Sequence, residues 1–179
     1  VAMFVICVVS GGVLGLVYNA TKDPIAAAEN AKKTEAIKNV LPEFQELKDM
    51  NMKSAMEDVE LPFHLAYDAN GNFIGAAVET FTNKGFSGNI SLMVGILADG
   101  TVNNISVLQH AETPGLGSKM SEPSFKDQFN NKHADSFNFN VKKDGGDVDA
   151  ITAATISSRA FCDAVNRAIS TFENNKGGF

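Results

Sequence analysis

Thr152, Thr155, Ser157 and Ser158 place four hydroxyls within seven residues, inside the stretch DAITAATISSRAF, residues 149 to 161. From Ile156 onward the apolar positions Ile156, Ala160, Phe161, Ala164, Val165, Ala168, Ile169 and Phe172 recur at helical spacing, so the hydroxyls sit at a helix start. One of them, Thr152 or Thr155, suffices as a cap, with the two serines as solvated first-turn residues. The surplus admits a second chemistry. A helix N-terminus presents free N–H groups and a positive dipole end, which favour a phosphate. A phosphate ester on a threonine at that place would have its charge stabilised by the helix. Ala153 and Ala154 leave room for a bulky ligand or a modifying enzyme.

A second stretch with chemical potential is QHAETPGLGSKM, residues 109 to 120, in which Pro114, Gly115 and Gly117 enforce a non-helical loop directly after a strand. On pattern alone it is a tight turn, with Glu112 solvated and Leu116 buried. Other chemistries lack their residues. His64, His110 and His133 are far apart, and the two cysteines are Cys7 in an apolar run and Cys162 in the last helix, so neither a metal site nor a disulfide framework is expected. The Gly-rich TNKGFSGN, residues 82 to 89, lacks the Gly-Lys-Ser/Thr ending of a phosphate loop and joins no strand to a helix, so it is read as a plain connection. A net charge of -6 with scattered lysines excludes nucleic acid as a partner. No catalytic constellation and no nucleotide fingerprint is present.

The elements that must position these stretches follow from the rest of the chain. VAMFVICVVSGGVLGLVY, residues 1 to 18, carries no charge and ends in a tyrosine suited to a membrane interface, which predicts a transmembrane helix over residues 1–19. A signal-peptide core is the alternative, and the run is longer than such a core. Asp23-Pro24 reads as a second helix start, running to about Leu41, where Pro42 ends it. That helix is either a stalk, residues 20–45, or a surface helix of the domain that follows, residues 46–179. Asn70-Gly71 and Asp99-Gly100 predict two antiparallel hairpins, four strands in all, between Leu61 and Leu108. A short helix around SEPSFKDQF, a strand around SFNFNVKK and the final helix complete an α+β domain.

The residues also carry a resemblance. Asp149 to Thr155, D-A-I-T-A-A-T, resembles the flavinylation motif of membrane-bound redox complexes: Asp, a small residue, any residue, Ser/Thr, usually Gly, then Ala-Thr, the last threonine receiving FMN as a phosphoester. Ala153 departs from the usual glycine. The loop His110 to Gly117 and the segment ISSRAFCDAVNRAI look like the second signature loop and the flavin-following helix of the RnfG family, the flavoprotein subunits of Rnf complexes. The related NqrC family, of sodium-pumping quinone reductases, is typically longer.

The resemblance implies an antiparallel sheet with packed helices that binds FMN covalently at Thr155, beside Asp149, Thr152, Ala153, Ala154 and Ile156. It places Glu112, Thr113, Pro114, Gly115, Leu116 and Gly117 against the flavin, with Thr113 bonded to an oxygen and Leu116 over the ring. It implies an electron carrier between ferredoxin and NAD, coupled to Na+ or H+ movement, with other membrane subunits, membrane lipid and a maturation flavin transferase as partners. His110 is expected at the surface, a proton relay being the other reading. The lysines after the span, Lys22, Lys32, Lys33 and Lys38, argue for a cytoplasmic domain, whereas the family implies the outer, periplasmic face of the inner membrane. An NqrC-like subunit and a membrane-anchored module without flavin are the rival readings.

Overall fold

The computed structural model describes residues 2–178; Val1, the first residue of the expected span, and Phe179 lie outside it. The chain divides into two compact units, Val1–Glu35 and Ala36–Phe179.

Helix α1, Ala2–Val40, is long and apolar enough to cross a membrane. Its described uncharged stretch, residues 2–21, is about 30 Å long at about 1.5 Å per residue, the thickness of a bilayer's hydrocarbon core. Phe4, Ile6, Leu14 and Leu16 are exposed along it, and the Thr21 hydroxyl donates to the Val17 carbonyl at 2.8 Å. The expected helix start at Asp23-Pro24 is corrected: Pro24 lies inside α1. Its missing N–H forfeits one bond, to the Ala20 carbonyl. That position is exposed, and the turns before it are already helical.

The second unit is built on one five-stranded sheet. Its strands are β1, Glu46–Lys53; β2, Glu60–Tyr67; β3, Phe73–Gly85; β4, Gly88–Leu97; and β5, Val102–His110. They run in sequence order and every neighbouring pair is antiparallel. The two predicted turns are present, with Gly71 at φ 78° and Gly100 at φ 101°. Before these four hairpin strands the sheet has a further strand that was not expected. β1, ELKDMNMK, buries only Met52 and so lacks the alternation that marks a strand. The Gly-rich "connection" is also corrected. Residues 82–85 belong to β3 and residues 88–89 to β4, and a Gly85–Gly88 pair closes a turn through Phe86 and Ser87.

Period-two side chains give the sheet two covered faces. On one, Phe63, Leu65, Val78, Leu92, Val94 and Ile96 pack with Phe161, Ala164, Val165, Ala168 and Phe172 of helix α3, Thr155–Asn175. α3 lies across β3 and β4, and burying each phenylalanine contributes about 1.5–3 kcal/mol. The other face, with Ala66, Ala77 and Met93, is covered by Ala36, Ile37, Val40 and Leu41. Gly95 lets this segment approach, since a Cβ there would meet the Val40 carbonyl oxygen. Asn103 and Asn104 donate to the Val40 and Asn39 carbonyls at 2.8 and 3.0 Å, satisfying the end of α1. The end of the expected stalk, from Ala36, thus packs within the second compact unit.

The segment between β5 and α3 holds short helical turns, among them Gly117–Ser121 and α2, Pro123–Lys126. The predicted strand around SFNFNVKK is not formed: it contributes one isolated bridge, Val141 to Val148, and a turn of 3-10 helix at Lys142–Asp144. Its alternating phenylalanines instead join an aromatic cluster in which Phe139 stacks on Phe129 and Phe129 packs on Phe161. Two buried hydroxyls tie α3 to β3: Thr80 donates to the Ala164 carbonyl at 2.9 Å and Thr82 to Asp163 at 2.8 Å. Arg167, buried on α3, makes a two-point pair with Glu57 at 2.8 Å and lies over the Phe81 ring. It draws the β1–β2 connection onto the helix.

Candidate functional site

Residues 149 to 154 lead directly into α3, and the hydroxyls there have separate fates. Thr155 is the first residue of α3 and is half-buried, after Ala154 at the cap position. The expected threonine cap is corrected, because no side chain caps this end. The first N–H groups of α3 thus point outward without an intrahelical partner. The serines are not solvated first-turn residues, and both are buried. Ser158 Oγ accepts from the Ile151 N–H at 2.9 Å and donates to the Ala154 carbonyl at 3.0 Å, so it pins the approach to the helix. Ser157 Oγ donates to Glu112 Oε2 at 2.5 Å.

Ala153, the residue at the motif's usual glycine, has φ 61°, in the left-handed region. Glycine adopts this conformation freely, and an alanine Cβ crowds the carbonyl. The chain keeps the required turn at a cost in strain.

Glu112 is 5% exposed, not solvated as the bare pattern suggested. Its Oε1 accepts from the Ser87 N–H at 2.9 Å while its Oε2 accepts from Ser157. One carboxylate therefore joins the β3–β4 turn, the loop after β5 and the start of α3. His110 is half-buried, and its Nδ1 accepts from the Glu112 N–H at 3.2 Å, a local cap of the loop. Gly117 is buried, and it must be glycine because a Cβ there would meet Glu112 Oε2 and, at 2.6 Å, Ser157 Oγ. Gly115, at φ 77°, donates its N–H to Ser118 Oγ at 2.9 Å and closes the loop.

These segments enclose a cavity of about 320 Å³, a usual size for a small-ligand site. Of the residues singled out in the sequence, Glu112, Thr113, Leu116, Gly117, Ala153, Ala154, Thr155 and Ile156 line it. Leu116 is 42% exposed rather than buried. Pro114 and Gly115 shape the loop from outside the lining. Asp149 and Thr152 face a different groove, with Lys119, Glu122 and Gln128. Asp149 pairs with Lys142 at 2.7 Å, and its N–H donates to Gln128 Oε1 at 2.8 Å. Two lining residues were missed, Phe86 and Ser157. Phe86 was signalled by a large apolar side chain between the glycines of a short turn.

A second cleft, of about 380 Å³, lies on the other side of Ile156 and includes Lys84, Asp144, Arg159 and Cys162. Its cations have partners: Arg159 grips Asp144 at 2.7 and 2.6 Å, and Lys84 meets Asp163 at 2.6 Å. The Arg159 hydrogen bond holds the Asp144 carboxyl below its ordinary range. Burial pushes the Cys162 thiol up to about 12, so it stays protonated and is no nucleophile. Among the described residues no group of three His, Cys, Asp or Glu side chains could hold a metal ion.

The fold and cavity define a class: the FMN-binding domain family matches residues 85–170, a span that contains every lining residue of the cavity. Along nearly its whole length the chain is similar to the G subunit of the ion-translocating oxidoreductase complex of Methanosarcina acetivorans, with 35% identity over 99% of this chain and 94% of that one. It is 32% identical to the G subunit of the Na(+)-translocating ferredoxin:NAD(+) oxidoreductase complex of Acetobacterium woodii, over 96% of this chain and 89% of the relative. The chain belongs to the family of G subunits of ion-translocating oxidoreductase complexes. Its fold is shared by the crystal structure of the C subunit of the Na(+)-translocating NADH-quinone reductase from Parabacteroides distasonis, with a TM-score of 0.57, 20% identity, and coverage of 79% of this chain and 80% of that one.

Two outcomes follow from the site geometry. Ala153→Gly should raise unfolding stability by about 1 kcal/mol in urea titrations, by relieving the left-handed alanine; an unchanged or lowered midpoint would contradict the strain. Glu112→Ala, which leaves the Ser87 N–H and the Ser157 hydroxyl without their acceptor, should cost about 1–3 kcal/mol. Glu112→Gln keeps an acceptor for one and a donor for the other, and its thermal midpoint should stay nearer that of the parent.

Proposed function

We propose that this chain is the electron-relaying subunit of an Rnf-type ferredoxin:NAD oxidoreductase coupled to Na+ or H+ movement, and that it carries FMN as a phosphoester on Thr155. The observation that carries this reading is the sorting of the four hydroxyls. Ser158 is buried and hydrogen-bonded, Thr152 faces another groove, Ser157 reaches the cavity lining but is buried with its hydroxyl given to Glu112, and Thr155, half-buried, joins the lining at an uncapped helix start. The two relatives at 35% and 32% identity support the complex type, whereas the likeness to the quinone reductase structure speaks for the fold alone.

The residues present suit FMN. The free N–H groups at the start of α3 would hold the phosphate, with the helix dipole favouring its charge. When bound, FMN supplies reversible electron transfer. The chain's part is to hold it in place: the ester on Thr155 prevents dissociation of a carrier working between fixed partners, Thr113 would bond a flavin or phosphate oxygen, and Leu116 would cover the ring. Pro114 and Gly115 keep the loop in shape. Asp149 and Thr152, turned away from the cavity, would face the flavin transferase during maturation.

Helix α1 anchors the protein in the inner membrane, in contact with lipid and the other subunits, and the domain sits on the outer face. The lysines Lys22, Lys32, Lys33 and Lys38 pull toward the cytoplasmic side, and family likeness is what supports the opposite placement. Protease added to intact spheroplasts should then digest the domain; full protection would reverse the assignment.

Coexpression with a flavin transferase should give a band that fluoresces under ultraviolet light after denaturing electrophoresis, with the flavin mass on the peptide containing Thr155. Thr155→Val should abolish both. A fluorescent Thr155→Val band, or a dark parent band under the same conditions, would sink the covalent reading.

A further inference from the structure

We infer that Phe86 forms the aromatic wall of the flavin cleft, packing against the isoalloxazine ring of an FMN tethered at Thr155; this rests on the flavin reading given above. Among the described residues of the unit Ala36–Phe179, six large apolar side chains are exposed: Leu47, Met50, Met56, Phe86, Leu116 and Ile156. Half of them, Phe86, Leu116 and Ile156, line the cavity that also holds Thr155. Scattered exposed apolar residues need no explanation, but a convergent group around a concavity marks a ligand surface. Phe86 is the most exposed of the six, at 68%.

The turn that carries Phe86 is held in place. Gly85 pairs with Gly88 across it, and the following N–H, of Ser87, donates to the buried carboxylate of Glu112. A Cβ at residue 85 would meet the Gly88 carbonyl and, at 2.8 Å, Glu112 Oε1, so glycine is needed for the strands to close onto that carboxylate. The same carboxylate binds Ser157, two residues beyond Thr155. Glu112 thus sets the position of Phe86 relative to the point of attachment. An aromatic ring on a held turn and two aliphatic side chains around a cavity of about 320 Å³ suit a planar aromatic occupant. The tether at Thr155 puts the flavin ring within reach, which argues for it over a partner's side chain.

The chain contains no tryptophan, so Phe86→Trp introduces its sole indole, and an indole in contact with a flavin quenches its emission by electron transfer. The full chain, coexpressed with the transferase and purified in detergent, should lose most of its flavin emission in the Phe86→Trp variant and regain it on denaturation. Leu47→Trp, on β1, should remain as bright as the parent. In a parallel arm, Phe86→Ala should make the flavin more sensitive to iodide quenching, because one flank of the ring is uncovered. Emission from Phe86→Trp equal to that of Leu47→Trp, or iodide sensitivity unchanged in Phe86→Ala, would overturn the assignment and leave Phe86 as a contact for another protein of the complex. Loading is read separately by mass: flavin retained in Thr155→Val would count against the tether at Thr155, not against the wall.

Discussion

The buried carboxylate of Glu112 is the constraint on which the site depends. It is held by two hydrogen bonds, one from the Ser87 N–H and one from the Ser157 hydroxyl. A buried carboxyl group is tolerable only when its oxygens are hydrogen-bonded. The three segments that carry and bond them, the β3–β4 turn, the loop after β5 and the start of α3, are therefore obliged to meet. Gly85 and Gly117 are the positions where a side chain would stand in the way of that carboxylate. The cavity is the space left where these segments converge.

Behind this point the sheet and α3 form a rigid support. The meander needs only short turns, and its period-two burial gives α3 one continuous apolar face to cover. Thr80 and Thr82 fix the helix along β3, and Arg167 fixes it again through Glu57. The start of α3 is consequently placed by contacts along its whole length. The strained turn at Ala153 is held by the Ser158 hydrogen bonds on either side of it.

Among the described residues, the second cleft has neither a free cation nor a reactive thiol to offer. The cations of the second cleft are occupied by Asp144 and Asp163, and its one thiol is kept protonated by burial. The chain belongs to a family of subunits of ion-translocating oxidoreductase complexes, and its FMN-binding domain fits an electron-carrying part in such a complex.

Much of this was legible in the chain itself. The uncharged first stretch, the Asn-Gly and Asp-Gly turns, the amphipathic final helix and the hydroxyl-rich start of it are local patterns that the structure keeps. Strand β1 and the irregular course of SFNFNVKK were not legible, because one is an exposed edge without alternation and the other spends its alternation on an aromatic cluster instead of a ladder. Pro24 was misread because proline's preference for helix starts says nothing about a helix already under way. The sequence by itself determined that a hydroxyl-rich stretch leads into the last helix and that a glycine-bearing loop follows a strand. Only the tertiary structure decided that Ser157 and Ser158 are buried, that Glu112 links residues 25 and 45 positions away in the chain, and that Phe86 overlooks Thr155. Those are long-range pairings, and which partner a buried polar group finds is decided by packing, not by its neighbours in sequence.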